Sequence, residues 1–199
     1  MIEYPADIPI VNVFSADFDV SLLDEAPSGS SLQHLFARTG RIIDGGVMVR
    51  VSPRKGDPWN GIAAYGAVSV ASAFTGVFTT PSARTLCLVA RGDAYLVDVY
   101  SPEEWSAIED SPVIAVRSAP DDAVLVLATP WRVVGVGANG VAWRTGRLAI
   151  DGLQLNDAAH EGSLTGVADP GGVEPRPFEI DLTTGRHTGG FAFPSDQSI

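Results

Sequence analysis

The chain has 199 residues, and 24 Asp and Glu against 13 Lys and Arg give it a formal net charge of −11. This acidity makes nucleic acid and membrane surfaces poor partners, because an acidic surface repels phosphate backbones and anionic lipid. Hydrophobic residues make up 45% of the chain, enough for a sizeable core, so the composition excludes an intrinsically disordered protein.

The sequence also predicts a cytoplasmic location. Residues 1–10 lack the basic region and apolar stretch of a secretory signal, and no run of about 18 apolar residues occurs. Lys55 is the single lysine. Together with abundant alanine and glycine, this usage is typical of a GC-rich bacterial genome. We therefore expect a bacterial cytoplasmic protein.

The first 36 residues have the least regular pattern. Residues 11–14 fit a short strand, and residues 30–37, S-S-L-Q-H-L-F-A, fit a short helix with a serine cap. Short apolar runs separated by turns then predict a β-meander core over 37–193, followed by a tail at 194–199. We expect one all-β domain over 1–199, with 1–36 as its irregular N-terminal segment.

The strands of the core follow two patterns. Residues 46–51 and 178–183 alternate between apolar and polar side chains, as strands with one buried face do. Residues 86–90 and 124–128 are apolar without alternation, which predicts strands buried on both faces. The connections are too short for crossover helices. Residues 101–109 are the exception, because their serine cap, proline and glutamate predict a short helix.

Turn residues mark three hairpins, at Arg91–Asp93, at 118–122 and at Asn139–Gly140. Gly135, Gly137 and Gly140 also spell G-x-G-x-x-G, the fingerprint of a dinucleotide site. That site needs a helix after the glycines, because the helix N-terminus binds the pyrophosphate. A strand and another turn follow Gly140, so we interpret the match as a hairpin. Arg91-Gly92-Asp93 spells a cell-adhesion tripeptide, which we also interpret as a hairpin loop.

Residues 112–145 therefore predict four consecutive antiparallel strands joined by tight turns, the layout of one propeller blade. Stacked blades bury both faces of their strands, which explains the runs without alternation. The tripeptide T-G-R recurs at residues 39, 145 and 184, and residues 178–186, F-E-I-D-L-T-T-G-R, are similar to the Asp-x-x-Thr-Gly turns common in propeller blades. We predict a small or irregular β-propeller-like fold with one or two short helices. A β-sandwich or barrel is the alternative.

Few residues have the spacing that chemistry requires. His34, His160 and His187 show no zinc-ligand spacing, and G-x-S-x-G is absent. We expect no metal and no cofactor. Cys87 lies in an apolar run and is interpreted as a small buried residue rather than a nucleophile.

Two segments supply candidate site residues. Asp157, His160 and Glu161 lie in a predicted polar loop, where carboxylates beside an imidazole either tune it for proton transfer or form a charged surface. Asp57, Trp59 and Asn60 lie in a loop rich in glycine and proline. Trp59 either stacks on a ligand there or plugs the core. The other tryptophans, Trp105, Trp131 and Trp143, adjoin strands and are interpreted as core or blade-interface residues.

The function that these features favour is a non-catalytic binding or protein-interaction module for an unknown protein or small-molecule ligand. The alternative is a hydrolase or lyase that uses Asp157, His160 and Glu161 as an acid–base set on a carbohydrate-like substrate. A third class is a homo-oligomer whose strand edges pair between chains.

Overall fold

The computed structural model describes residues 8–24, 34–67, 72–160 and 162–193, with the backbone alone for 158–160. Its regular structure consists of 17 strands in four sheets. The predicted all-β fold of antiparallel, blade-like meanders is confirmed. The chain forms two compact units, and the boundary lies between Glu109 and Asp110. Nothing in the described ranges forms a helix that would span a membrane.

The first unit contains sheet I, in the order β2-β4-β5-β3, and sheet II, in the order β1-β6-β7-β8-β9. Its strands are β1 Ile10–Val11, β2 Phe18–Leu22, β3 His34–Phe36, β4 Gly46–Pro53, β5 Trp59–Ala64, β6 Gly76–Thr79, β7 Thr85–Ala90, β8 Asp93–Asp98 and β9 Trp105–Ile108. Neighbouring strands are antiparallel, apart from the parallel pairs β1 with β6 and β3 with β5. In sheet I the β4–β5 hairpin thus gains two strands, β2 and β3, from earlier in the chain, and in sheet II the meander β6 to β9 gains one, β1.

The second unit contains two simple meanders, in which strands that follow one another in the chain are neighbours in the sheet. Sheet III consists of β10 Ala115–Ala119, β11 Val124–Ala128, β12 Val133–Gly137 and β13 Gly140–Arg144. Sheet IV consists of β14 Leu153–His160, β15 Ser163–Ala168, β16 Arg176–Asp181 and β17 His187–Gly189. All pairs within these two sheets are antiparallel.

The strands without alternation are buried on both faces, as predicted. Every residue from Leu86 to Ala90 and from Leu125 to Ala128 has no exposed surface. Alternate residues of β7, with Val47 and Val49 of β4, belong to one apolar cluster that joins sheets I and II. A second cluster joins sheets III and IV in the same way. Each unit is therefore a pair of sheets with a shared core.

The predicted helices are absent from the described residues. Instead of a helix over 101–109, the chain makes a turn in which the Glu104 N–H donates to the Ser101 carbonyl, and then forms β9. This strand pairs with β8 from Ala94–Ile108 to Val97–Trp105, so pairing along the sheet edge overrides the local helix cap. In the other segment, 30–33 lie outside the described residues and His34–Phe36 form β3.

The N-terminal segment is more regular than expected, because three strands lie within residues 1–36. The first of them, β1, overlaps the strand predicted at 11–14. A single domain over 1–199 stays a prediction, since two compact units do not show whether they fold separately. The tail at 194–199 lies outside the described residues.

The hairpins occur where predicted, but two of the turns differ in detail. A strand follows Gly140, so the hairpin interpretation of the glycine fingerprint is confirmed. Gly140 has φ 95° and opens β13, whereas Asn139 does not have the positive φ expected of it. The loop between β7 and β8 has two residues rather than three, and both Arg91 (φ 44°) and Gly92 (φ 85°) are left-handed. Asp93 is buried with its carboxylate 3.1 Å from Arg38 Nε, a position that does not suit an adhesion motif.

A tryptophan joins the two sheets in each unit. Trp59 Nε1 donates to the Val99 carbonyl at 2.9 Å, and Trp143 Nε1 donates to the Leu182 carbonyl at 2.7 Å. The two partners lie 40 residues apart in the first case and 39 in the second. Because each buried indole hydrogen-bonds the turn between the third and fourth strands of the next meander, it fixes one sheet against the other. We call each of these arrangements a tryptophan clamp.

The acceptor of each clamp directly follows an aspartate that orders the turn. Asp98 Oδ1 accepts the N–H groups of residues 100 and 101 at 2.8 and 3.2 Å. Asp181 Oδ1 accepts those of Thr183 and Thr184 at 2.9 and 2.8 Å. A side-chain oxygen that accepts backbone N–H groups two and three residues later holds the turn in one conformation. The second of these turns is the Asp-x-x-Thr-Gly segment of the sequence.

The Asp181 turn makes the stability of the protein depend on pH. The Thr184 backbone N–H and hydroxyl, followed by the Thr183 N–H and the Arg186 charge, hold the pKa of Asp181 below its ordinary value of 3.8. A depressed folded-state pKa adds stability above the unfolded-state pKa, and that stability is lost as the pH falls through the folded-state pKa. We expect a carboxyl-carbon NMR titration to place the Asp181 midpoint below that of an unstructured peptide.

The control for this prediction is Asp181→Asn, which keeps an acceptor oxygen but does not titrate. The wild-type free energy of unfolding should fall more steeply with acid below the ordinary aspartate pKa than that of the variant. Parallel acid dependence in both proteins would contradict the assignment.

Candidate interaction site

The predicted acid–base segment is a strand and not a loop. Residues 153–160 form β14, and the extra residues of a bulge between Leu155 and Ala159 take up the polar stretch. The Asp157 side chain is 98% exposed and lies 2.9 Å from Arg117 Nη2. The side chain of His160 and all of Glu161 lie outside the described residues. The acid–base role of the three therefore stays a prediction.

The predicted ligand-binding residues take different positions in the first unit. Trp59 is buried in the core, where its ring packs edge-on against Phe36 and its Nε1 donates the hydrogen bond of the tryptophan clamp. This is the position that the core-plug alternative describes. Asp57 is exposed and Asn60 is half-buried. A ligand-binding role for Asp57, Trp59 and Asn60 stays a prediction.

Cys87 is fully buried, and the His34 ring packs against aromatic side chains. Burial raises the pKa of Cys87 to about 12, so its thiol is not a nucleophile at neutral pH. Burial also lowers the pKa of His34, a shift that Glu103 partly opposes. The centre of the His34 ring lies 5.2 Å from the centre of the Trp59 ring. Within the described ranges, no three His, Cys, Asp or Glu side chains group as a metal site would require.

Trp131 is the functional candidate that the sequence pattern does not reveal. Its neighbouring strands favour a core position, but 39% of its surface is exposed. It lies in the short turn between β11 and β12, immediately after Pro130. A signal for exposure is nevertheless present in the sequence, because a side chain in a tight turn between two buried strands has no sheet face to pack on.

Three adjacent loops of the second unit each present one apolar side chain. Trp131, Ile150 (53% exposed) and the fully exposed Val173 are all the exposed large hydrophobic residues of this unit among those the structure describes. Their loops connect β11 to β12, β13 to β14 and β15 to β16, and alternate turns of a meander lie at the same end. We call these three residues the apolar loop end.

Backbone hydrogen bonds tie the three loops together. The Leu148 N–H donates to the Trp131 carbonyl at 2.7 Å, and the Gly152 N–H donates to the Pro130 carbonyl at 3.0 Å. The Asp169 N–H donates to the Gly152 carbonyl at 2.9 Å, which links the third loop to the second. The three exposed side chains therefore belong to loops whose backbones are hydrogen-bonded to one another.

Asp169 orders the loop that carries Ile150. This buried residue has φ 50°, a left-handed conformation that costs a non-glycine residue about 1–3 kcal/mol. Its carboxylate accepts the Ile150 N–H at 3.1 Å and the Asp151 N–H at 2.7 Å. Hydrogen bonds to a carboxylate are stronger than neutral ones and offset that strain. The loop is thus held in its conformation before any partner binds.

An aromatic depression of about 380 Å³ adjoins the apolar loop end, lined by Arg147, His187, Gly189, Gly190, Phe191, Ala192 and Phe193. Arg147 connects the two features. Its Nε and Nη2 donate to the carbonyls of Ala149 and Ile150 at 2.9 and 3.1 Å, and its guanidinium lies 4.7 Å from the ring centre of Phe193. Exposed aromatic and aliphatic groups braced by arginine are the composition of protein–protein interface centres.

Comparison with known proteins gives distant structural likeness only. No protein-family model and no curated protein matches the chain. It is similar to the N-terminal domain of Nup159, with 12% identity and a TM-score of 0.43 over 96% of this chain and 55% of that one. It is also similar to a chain in a complex of an S. cerevisiae Dbp5 variant with Nup159, a Gle1 variant and ADP. That match has 12% identity and a TM-score of 0.42, over 95% of this chain and 54% of that one. The chain thus spans about half the length of these structures.

Proposed function

We propose that this chain is a non-catalytic protein-interaction module whose second unit binds an apolar segment of a partner protein at the apolar loop end. One observation carries the proposal: the exposed large hydrophobic residues described in that unit all belong to three loops whose backbones are hydrogen-bonded to each other. Single exposed hydrophobics are normal on a protein surface, but a contiguous group is typical of a binding surface.

The energetics of this surface suit protein binding. Burial of apolar surface contributes about 25 cal/mol per Å², and the exposed 39% of Trp131 and 53% of Ile150 supply such surface. Because the Asp169 hydrogen bonds already order the Ile150 loop, association loses little conformational entropy there. The aromatic depression beside the loops offers a place for one apolar side chain of the partner.

Charge indicates what kind of segment binds. The chain has a formal net charge of −11, which steers cationic partners toward it and repels acidic ones. Asp151 is exposed directly after Ile150, at the edge of the apolar loop end. We therefore expect the partner segment to combine apolar side chains with flanking lysine or arginine residues.

Site-specific photo-crosslinking tests the proposal and can capture a partner whose identity is unknown. A photoreactive benzoylphenylalanine replaces Trp131 in one protein and the exposed Ile43 of the first unit in another. In extracts of the source cells, position 131 should give a discrete protein adduct that position 43 does not give. Unlabelled wild-type chain should compete the adduct away.

The matched competitors are Ile150→Asp and Ile43→Asp, both at exposed positions where folding stability should change by less than about 0.5 kcal/mol. Ile150→Asp should compete about tenfold less well than wild type, and Ile43→Asp equally well. Equal competition by the two would overturn the proposed site. An adduct of the chain with itself would instead favour the homo-oligomer.

The alternative function, a hydrolase or lyase, depends on Asp157, His160 and Glu161 acting together as an acid–base set. A bacterial source and a cytoplasmic location remain proposals drawn from composition.

A further inference from the structure

A depression of about 510 Å³ in the first unit concentrates positive charge, although the chain as a whole is acidic. Its lining residues are Asp17, Arg54, Lys55, Arg84 and Tyr100. Three of the 13 basic residues of the chain thus face one depression with a single carboxylate in its wall. We call it the cationic depression. Because it belongs to the other unit, it is independent of the proposed function.

Hydrogen bonds to the main chain of Asp17 fix the walls of this depression. The Arg54 N–H and the Tyr100 hydroxyl both donate to the Asp17 carbonyl, at 2.7 and 3.1 Å. The Asp17 N–H donates to the Ala83 carbonyl at 2.8 Å, beside Arg84. Four chain segments that are distant in sequence therefore meet at one residue, and the basic side chains start from a fixed backbone.

Arg84 is held as a preorganised donor. Its guanidinium lies 5.1 Å from the ring centre of Tyr100, and its Nη2 lies 3.1 Å from Asp98 Oδ2. Within the described part of the chain, Nη2 is the only guanidinium nitrogen of Arg84 with a hydrogen bond or ion pair. Arginine carries five N–H donors in a planar fork, so Nε and Nη1 are available to a ligand.

The other two cations are weakly engaged. Arg54 Nη1 lies 3.9 Å from Asp17 Oδ1, and the side chain is mostly exposed, so this pair contributes little. Lys55 forms no ion pair with the residues the structure describes. The carboxylates of Asp17 and Asp98 balance two of the three positive charges. One positive charge is left in excess, and a bound anion would neutralise it.

We propose that the cationic depression binds a phosphate-type oxyanion carried on a small organic molecule. A planar carboxylate is satisfied by one arginine fork, whereas two guanidinium groups and an ammonium suit a tetrahedral group with several oxygens. The volume falls within the range of about 300–1,000 Å³ of small-molecule sites, so the depression has room for more than the oxyanion itself. Tyr100, which also lines the depression, contributes apolar surface for the organic part.

Titration followed by amide NMR tests this proposal, with inorganic phosphate, phenyl phosphate and acetate as the probes at one fixed ionic strength. Phosphate should shift the amide signals of residues 54, 55 and 84 saturably, phenyl phosphate should bind more tightly, and acetate should bind at least about tenfold more weakly. Lys55→Met should weaken phosphate binding about tenfold, and this exposed position leaves the fold intact. Arg84→Gln should weaken it further.

Arg176→Gln is the matched control, because Arg176 is a similarly exposed arginine of the second unit with its own partner, Glu174, at 3.0 Å. It should bind phosphate as wild type does. Acetate binding as strong as phosphate binding, or full binding by Lys55→Met, would overturn the proposal. An Asp/Glu-rich peptide that binds where phosphate does not would also overturn it, in favour of an acidic protein segment.

Discussion

Trp143→Ala is expected to lower the free energy of unfolding of the second unit by about 3–5 kcal/mol, the range for removing a large buried aromatic side chain. The indole is nearly fully buried within the cluster that joins sheets III and IV. The variant loses this packing and also leaves the Leu182 carbonyl without its donor at 2.7 Å. Whole domains are stable by only about 5–15 kcal/mol, so the loss should appear as a large shift of the urea midpoint by circular dichroism.

Two variants separate the contributions to this effect. Trp143→Phe keeps most of the ring but lacks the N–H, and should cost about 1–3 kcal/mol for the unsatisfied carbonyl and the incomplete packing. Trp131→Ala removes a partly exposed tryptophan of the same unit and should cost clearly less than Trp143→Ala. Equal losses for Trp143→Ala and Trp131→Ala would show that the clamp does not hold the sheets together.

Gly135→Ala is expected to destabilise the protein by about 1–3 kcal/mol, although alanine normally stabilises a strand relative to glycine. Gly135 lies opposite Trp143 in the β12–β13 pair, and a Cβ there would overlap the indole. A Cβ at Gly185 would likewise lie 2.7 Å from Trp143 Cε3. The indole thus packs directly against two glycines, and the sign of the Gly135→Ala effect reports how tightly it is packed.

A double-mutant cycle measured by urea denaturation checks this explanation. In the Trp143→Ala background the obstacle is gone, so Gly135→Ala should become neutral or stabilising by up to about 1 kcal/mol. Gly137→Ala lies in the same strand, where its Cβ would be 3.3 Å from the Cβ of Ala142, and it should cost less than Gly135→Ala. A Gly135→Ala cost that stays the same without the indole would place its cause elsewhere.

The strands and hairpins of this fold are predictable because their signals are local. The apolar run 124–128 and the Asn139–Gly140 turn encode a buried strand and a hairpin without reference to the rest of the chain. The prediction of a helix at 101–109 is wrong because the deciding interaction is not local. The helix cap is encoded in neighbouring residues. The edge of β8, with which residues 105–108 pair, exists only once the sheet has formed.

The tryptophans show why the candidate site is harder to predict than the fold. The glycine- and proline-rich surroundings of Trp59 are compatible with ligand stacking and with core packing, and only the fold places it in the core as the first residue of β5. The strands that flank Trp131 suggest a core position, but its short turn keeps it exposed. The indoles of Trp59 and Trp143 bind carbonyl groups 40 and 39 residues further along the chain. The choice of carbonyl depends on how the sheets pack, so it cannot be predicted from the positions of the tryptophans in the sequence.

The cationic depression is not predictable for a related reason. Its basic residues come from two distant chain segments, Arg54–Lys55 and Arg84, and the hydrogen bonds around Asp17 bring these segments to one surface. Net charge hides the feature as well, since an average over the whole chain conceals a local excess of the opposite sign. Composition identifies Lys55 as the single lysine, but only the fold places it in one depression with Arg54 and Arg84.

The two tryptophan clamps have almost the same internal spacing and the same aspartate turn at their acceptor. This is the arrangement expected if an ancestral pair of sheets was copied in tandem and the copies then diverged. Neither clamp tryptophan belongs to the cationic depression or to the apolar loop end. In that case the loops of each copy are free to diverge while its clamp is retained, and the cationic depression of one unit and the apolar loop end of the other are such loop features.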